Sequence, residues 1–262
     1  MKSITFTVSK GGVGKSLTTA NVGAALAKKG KKVVLVEGDT NQPLQKMLSL
    51  SFSNDDLKLE DIVEKNMEIT EALYPTRLAN LFLIPSGVSL QGYFEIDPKS
   101  FVKKLTNLKT DYMLIDVPFP LGKAAFLSLG VCDYFIPILT EDEIVLCVES
   151  TIDTVRLGKY FLKSNPLGFV LNRIKTKKFT REFVKDLENL LELPCIAQVK
   201  EHAEVTKSYG GMGAKDAFLA YERFPQSEFA REIDRIADYL LDQKLESGRK
   251  DAVALFEELA KA

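Results

Sequence analysis

The fold of this chain is decided by one stretch near its N-terminus, Lys10-Gly11-Gly12-Val13-Gly14-Lys15-Ser16. Its last three residues end a phosphate-binding loop, whose usual pattern is G-x-x-x-x-G-K-[ST]. Here Ser9 stands at the first glycine position, and a second lysine, Lys10, follows it. Two lysines in one loop indicate that the site neutralises more triphosphate charge than the contacts of a single subunit would require.

The segments on either side of this loop support its interpretation. Residues 4–8 are alternately polar and apolar and mostly β-branched or aromatic, which predicts a strand, and residues 16–29 are rich in Ala, Leu and Lys, which predicts a helix. Glycines bring backbone N–H groups close to phosphate oxygens at the positive end of a helix. We expect Lys15 to reach the β- and γ-phosphates and Ser16 to bind Mg²⁺. A glycine-rich turn that binds nothing is the disfavoured alternative.

Composition bounds the class of protein. The chain has 262 residues, 45% of them hydrophobic, and a net charge of −1, so we expect one domain with a large core and no general attraction to polyanions. No apolar run approaches the length of a membrane span and no signal peptide is evident, which predicts a cytoplasmic protein. Cys132, Cys147 and Cys195 are widely spaced, so we predict small buried side chains and no metal cluster.

Short apolar runs alternate with helical patterns along the chain. Predicted strands after the first cover residues 33–36, 80–87, 112–116, 134–139, 168–172 and, more weakly, 195–197. This order predicts an α/β fold, a mainly parallel twisted sheet with helices on both faces. Such sheets bind ligands at the carboxyl ends of their strands. The glycine-rich loop, Asp39, Asp116 and Asn172 all follow strands there.

The C-terminal part contains two predicted helices. A core-facing helix covers residues 227–241, and a short amphipathic helix covers residues 251–262. We assign residues 1–246 to the nucleotide-binding domain and residues 247–262 to a tail that is not a separate domain. Asp251, Glu257 and Glu258 disfavour contact of the tail with anionic lipid, so docking on the body or on a partner is expected.

The chain resembles the MinD/ParA family of P-loop ATPases, which has a deviant Walker A motif like the stretch Lys10 to Ser16. The resemblance extends along most of the chain. It is carried by Val36-Glu37-Gly38-Asp39, Leu81 to Gly87, Leu114-Ile115-Asp116-Val117-Pro118 and Val170-Leu171-Asn172-Arg173.

The resemblance implies that two subunits enclose two ATP molecules with Mg²⁺ in a homodimer. Lys10 would then cross to the partner's phosphates, Asp39 would orient the attacking water, and Asp116 would hold Mg²⁺ through a water. Asn172, with Arg173 beside it, would read the adenine. The implied catalytic residues are Lys10, Lys15 and Asp39, and the implied metal residues are Ser16, Asp39 and Asp116. The implied nucleotide-binding residues are Gly11, Gly12, Val13, Gly14, Lys15, Ser16, Leu17, Asn172 and Arg173.

The expected function is therefore a slow ATPase that acts as a dimerising switch and positions a division site, DNA or a large complex. A protein activator is the expected partner, while DNA and membrane stay open, as does a location at the membrane or nucleoid. The alternatives are an ATP-binding module with little turnover, a nucleotide-dependent reductase or cluster carrier, and a small-molecule ligase.

Several residues depart from the family pattern. Glu37 replaces the first aspartate of D-x-D, Leu17 replaces a hydroxyl residue, and Pro120 stands in switch II about where a glycine is usual. A proline also often stands where Lys200 does. These departures put the turnover rate, and the base contacts of residues 199–205, in question.

Other polar segments have simpler interpretations. We predict that His202 is exposed and that the glycine-rich run 210–213 is a linker. Two basic clusters are predicted to be a helix end and a solvated face rather than DNA contacts: Lys28, Lys29, Lys31 and Lys32; and Arg173, Lys175, Lys177, Lys178 and Arg181.

Overall fold

Strands and helices alternate in the computed structural model, which describes residues 1–7, 10–87, 98–116, 126, 129–208, 217–246 and 252–259. The strands are β1 (Lys2–Thr7), β2 (Val33–Glu37), β3 (Tyr74–Pro75), β4 (Leu81–Ile84), β5 (Tyr112–Asp116), β6 (Tyr134–Thr140), β7 (Asn165–Pro166), β8 (Phe169–Ile174) and β9 (Cys195–Lys200). The helices are α1 (Lys15–Lys28), α2 (Pro43–Met47), α3 (Leu59–Glu64), α4 (Pro98–Thr106), α5 (Ile144–Arg156), α6 (Arg181–Leu191), α7 (Ala203–Ser208), α8 (Ala220–Arg223), α9 (Glu228–Asp242) and α10 (Ala252–Leu259).

The strands form one twisted sheet in the order β3-β4-β2-β5-β1-β6-β8-β9, and β7 pairs with β6. Its pairings are parallel except for β3 with β4, which confirms the predicted mainly parallel sheet. β1 lies in the middle, between β5 and β6. The loop that follows β1 therefore lies at the centre of the carboxyl edge of the sheet.

Side chains of the central strands pack on both faces of the sheet. Leu35 and Leu114 belong to a core cluster with α1, whereas Val34 and Met113 belong to a second cluster with α4. Neighbouring residues of a strand point to opposite faces, so apolar runs without alternation are what a sheet covered on both sides requires.

Helix α1 fixes the start of the site because it is buried almost all round. Its residues Lys15, Ser16 and Thr18–Ala27 are buried, and it packs against α9 as well as the sheet. Gly23 allows this close approach, since a Cβ there would lie 2.6 Å from a methyl carbon of Leu35. The first turn of α1 is thus held in a rigid setting.

The C-terminal helix α10 packs on the body of the protein. Leu255 is buried against Leu129, Phe135 and Leu162, and the helix also contacts α4. None of the helices in the described ranges is long and apolar enough to span a bilayer.

Smaller predictions have mixed outcomes. Cys132 and Cys147 are buried as predicted, while Cys195 is half-buried. The weak last strand is longer than predicted and runs over β9. Switch II beyond Asp116, with Pro120, and the glycine-rich run 210–213 lie outside the described residues.

Candidate nucleotide site

The loop between β1 and α1 has a backbone that only glycine adopts readily. Gly12 and Gly14 have φ of +75° and +98°, in the left-handed region. Gly14 is the N-cap residue of α1, and its carbonyl accepts the first helical hydrogen bond from the N–H of Thr18 at 2.9 Å. A Cβ at Gly14 would lie 2.4 Å from Nδ2 of Asn172. Both conformation and space therefore require glycine at position 14.

Lys15 begins α1 and is buried beneath the loop. Its Nζ donates a hydrogen bond to the backbone carbonyl of Lys10 at 2.7 Å, and only 7% of the residue is exposed. Burial lowers the pKa of the Lys15 ammonium, and the charges of Asp116 and Asp39 oppose this effect. A buried cation at a helix N-terminus is suited to binding phosphate, because the phosphate charge offsets the desolvation of the ammonium group.

Two buried acidic side chains lie on neighbouring strands at the carboxyl edge of the sheet. Glu37 and Asp116 are register partners on β2 and β5, and both are fully buried. Oε1 of Glu37 accepts hydrogen bonds from the N–H groups of Leu44 at 2.6 Å and Gln45 at 3.1 Å, at the start of α2. Burial raises the pKa of Glu37 to about 8, and the charge of Asp116 adds to the increase. Glu37 thereby fixes the segment that follows Asp39.

Asp39 is partly exposed and lines the cavity beside the loop. Its Oδ1 accepts hydrogen bonds from the backbone N–H and the side-chain Nδ2 of Asn41, at 2.8 and 2.9 Å. Ser86 Oγ donates a hydrogen bond to the backbone carbonyl of Asp39 at 2.8 Å, which connects the segment after β2 to the end of β4. One hydroxyl and two carboxylates, from Ser16, Asp39 and Asp116, are oxygen donors of the kind that Mg²⁺ prefers, so the residues fit this ion.

The cavity has a volume of about 560 Å³. Its lining includes the glycine-rich loop and the buried apolar residues Val199, Val205 and Phe229. A lining that combines a glycine-rich loop and cationic side chains with apolar side chains fits a triphosphate joined to a flat heterocycle. The remaining lining residues are Gly11, Gly12, Gly14, Lys15, Ser16, Leu17, Asp39, Asn41, Asn172, Arg173, Lys200, Glu201, His202 and Thr206.

Most predicted site residues thus meet around one cavity, with three exceptions. Val13 points into the core and is 2% exposed. Asp116 lies beneath the loop, close enough for its charge to affect Lys15. Lys10 is absent from the described lining, since its side chain lies outside the cavity on Glu143.

Asn172 and Arg173 tie β8 to the loop. Nδ2 of Asn172 donates to the Val13 carbonyl at 2.8 Å, and the residue is 5% exposed. Arg173 has φ of +56°, unusual for a non-glycine residue, and its Nη1 donates to the Gly12 carbonyl at 3.2 Å. Adenine recognition by Asn172 stays a prediction.

Comparisons with known proteins agree with this geometry. A family model described as an AAA domain matches residues 1–164. An uncharacterised ATP-binding protein of Methanocaldococcus jannaschii is 36% identical over 243 residues, which cover 92% of this chain and 88% of the relative. MinD of Pyrococcus horikoshii, solved with Mg-ADP, matches with a TM-score of 0.78 at 24% identity, covering 93% of this chain and 99% of that one. MinD of Aquifex aeolicus, solved with MinC, matches with a TM-score of 0.75 at 25% identity, covering 95% and 99%.

The chain belongs to the MinD/ParA-like family of P-loop ATPases. The predicted family is therefore confirmed. The M. jannaschii relative is an ATP-binding protein and the Pyrococcus MinD carries Mg-ADP, and both findings agree with the predicted ligands ATP and Mg²⁺.

Some residues of this MinD/ParA-like site were missed in the sequence. Phe229 has the helical spacing of a core residue, which gives no sign that it also lines a cavity. The prediction that His202 is exposed is wrong, since it is half-buried, lines the cavity and has an enclosed Nε2 atom. Its polar neighbours in sequence suggested exposure, but the tertiary structure places His202 in the wall of the cavity.

The denser basic cluster is partly neutralised by acidic residues distant in sequence. Arg173 forms ion pairs with Asp142 at 3.5 Å and Glu201 at 3.3 Å, and Lys175 pairs with Asp142 at 2.8 Å. Charges paired in this way attract nucleic acid less. The arrangement favours the predicted solvated face over a DNA contact.

Proposed function

We propose that this chain is a slow ATP-hydrolysing switch that forms an ATP-sandwich homodimer and thereby positions a cargo. One observation carries the proposal: the side chains of the two loop lysines lie in different places, one buried under the loop and one outside the cavity. Lys15 is buried under the loop, whereas the Lys10 side chain leaves the cavity and is about one-third exposed at its rim. A lysine at the rim is placed to reach the phosphates of a second subunit.

Within one subunit, different residues bind the phosphates of ATP, position the attacking water and hold the metal ion. Lys15 and the loop N–H groups hold the β- and γ-phosphates, and Asp39, oriented through Asn41, positions the attacking water. Ser16, Asp39 and Asp116 would hold Mg²⁺, which neutralises phosphate charge when bound. Lys10 of the second subunit would add positive charge as the phosphoryl group departs.

We propose slow turnover because this chain departs from the family pattern at Leu17. Leu17 lines the cavity where a hydroxyl would contact phosphate, so one polar contact is replaced by an apolar side chain. With slow turnover, ATP would stay unhydrolysed long enough for the dimer to act on its cargo. MinD of Aquifex aeolicus assembles with MinC, so we propose that this dimer also acts through a protein partner. Three free cysteines fit the reducing cytoplasm as its location.

Multi-angle light scattering tests the proposal directly. The chain has a mass of 29.2 kDa, and we expect this value with ADP and twice this value with ATP. An Asp39→Ala variant should bind ATP and stay dimeric with ATP, because this variant cannot hydrolyse the nucleotide. A monomer under all three conditions would contradict the switch. An ATP dimer of the unchanged protein that releases no phosphate would instead indicate a binding module.

A further inference from the structure

We propose that Glu143 is a positioning residue that holds Lys10 on its own subunit until a second subunit replaces it. The proposal rests on the ATP-dependent dimer proposed above. Nζ of Lys10 lies 3.3 Å from Oε1 of Glu143. The lysine that would act on the partner's nucleotide is therefore already engaged within its own chain.

Glu143 belongs to a short acidic 3₁₀ turn, Glu141–Glu143, between β6 and α5. Glu141 accepts hydrogen bonds from the N–H groups of Lys175 at 2.6 Å and Thr176 at 2.9 Å. Asp142 pairs with Lys175 and Arg173. Since two of its three carboxylates anchor this turn to the segment after Asn172, the third is held at a fixed place beside the loop.

The ion pair of Lys10 with Glu143 is strong enough to hold the Lys10 side chain in place and weak enough to be replaced by another anion. The two side chains are 35% and 39% exposed. Ion pairs at such exposure contribute little, because water screens both charges. Holding Lys10 at the rim also keeps its charge apart from that of buried Lys15. Bound triphosphate on a facing subunit offers Lys10 a stronger anionic partner.

The surface next to Glu143 fits a second copy of this chain. Val145 and Leu146, at the start of α5, are 66% and 52% exposed. A two-fold axis near Lys10 would bring the same lysine, acidic turn and aliphatic pair from both copies, a self-complementary set. Covering the aliphatic pair would then accompany the transfer of Lys10.

The test compares Glu143→Gln with Glu149→Gln, a matched change at an exposed position on α5, the helix that follows the turn. The first readout is labelling of Lys10 by an amine-reactive acetyl ester in the nucleotide-free protein, followed by mass spectrometry. We expect severalfold faster labelling in Glu143→Gln and no change in Glu149→Gln. Equal labelling of Lys10 in both variants would overturn the proposal whether or not the protein dimerises.

The second readout is the dimer dissociation constant with ATP, from light scattering across protein concentrations. We expect Glu143→Gln to dimerise about three- to thirtyfold more tightly, because two exposed pairs no longer have to break. Glu149→Gln should stay within about twofold of the unchanged protein. Weaker or unaltered dimerisation of Glu143→Gln would show that Glu143 does not oppose the transfer. Faster labelling with no ATP dimer of the unchanged protein would contradict the proposed switch and, with it, the release of Lys10 to a second subunit.

Discussion

The two lysines of the glycine-rich loop lie five positions apart but occupy different environments. Lys15 is buried, holds the Lys10 carbonyl and lies within the field of Asp116 and Asp39. Lys10 is one-third exposed and rests on a single carboxylate at the rim. The inner lysine is fixed for binding, and the outer lysine is placed for exchange. Burial, rather than residue type, separates the two roles.

The acidic residues around the loop show the same contrast. On the inner side, Glu37 and Asp116 are fully buried, and Glu37 is hydrogen-bonded to the start of α2. On the outer side, the acidic turn Glu141–Glu143 is at the surface and bridges separate segments through ion pairs and hydrogen bonds. The inner side therefore has a fixed geometry, while the outer side has contacts that a partner can replace.

Lys10→Ala is expected to have the largest effect and tests the outer role. Turnover should fall by about a thousandfold or more, as for loss of an arginine finger, because no charge arrives from the second subunit. ATP affinity of the monomer should stay within about threefold, because Lys10 lies outside the cavity. Phosphate release and titration with a fluorescent ATP analogue measure the two quantities. Unaltered turnover would show that Lys10 does not act on the nucleotide of the second subunit.

Glu37→Gln tests how fixed the inner side is, through the pH dependence of stability. The folded-state pKa of Glu37 is raised to about 8 by burial, so the neutral acid is favoured in the folded protein. Its stabilising contribution is fully present below the unfolded-state pKa and is lost as pH rises towards 8. Between pH 5.5 and 8.5 the unchanged protein should lose on the order of 3 kcal/mol relative to Glu37→Gln.

Urea unfolding of both proteins without nucleotide measures this difference. The difference between the two free energies of unfolding removes the pH-dependent contributions of the other titrating groups, because both proteins share them. A difference that stays constant from pH 5.5 to 8.5 would show that Glu37 is ionised in the folded protein.

Lys15→Met tests the binding role of the inner lysine. ATP affinity should fall roughly 30- to 150-fold, the cost of about 2–3 kcal/mol for a lost charged hydrogen bond. Thermal stability should not fall, because a desolvated ammonium is replaced by an apolar side chain of similar length. Calorimetric titration and a thermal melt provide the two readings. Full retention of affinity would assign phosphate binding to the backbone alone.

Leu17→Thr is expected to have the smallest effect. A hydroxyl in the cavity wall should raise ATP affinity by about two- to tenfold, since one hydrogen bond contributes about 1 kcal/mol. Leu17→Val is the matched control, because it has the shape of threonine without the hydroxyl. Equal affinity of the two variants would show that position 17 does not face the phosphates.

Sequence patterns predicted much of the fold and part of the site. The strands over β2, β5 and β8 were recognisable because a sheet covered on both faces requires apolar runs. The loop was recognisable because phosphate binding requires glycines and lysine at fixed spacing. Glu143 and Phe229 were not recognisable, since each is brought to the loop by packing of distant segments. His202 was misjudged for the same reason.

The sequence by itself determined a phosphate-binding loop, a mainly parallel sheet and the family of the chain, because local spacing and strand periodicity express these directly. The tertiary structure alone decided which lysine is buried, which carboxylates are hydrogen-bonded and which basic residues are neutralised. Burial and charge pairing depend on segments far apart in the chain: Lys10 meets Glu143 only because β1 and β6 are neighbours in the sheet.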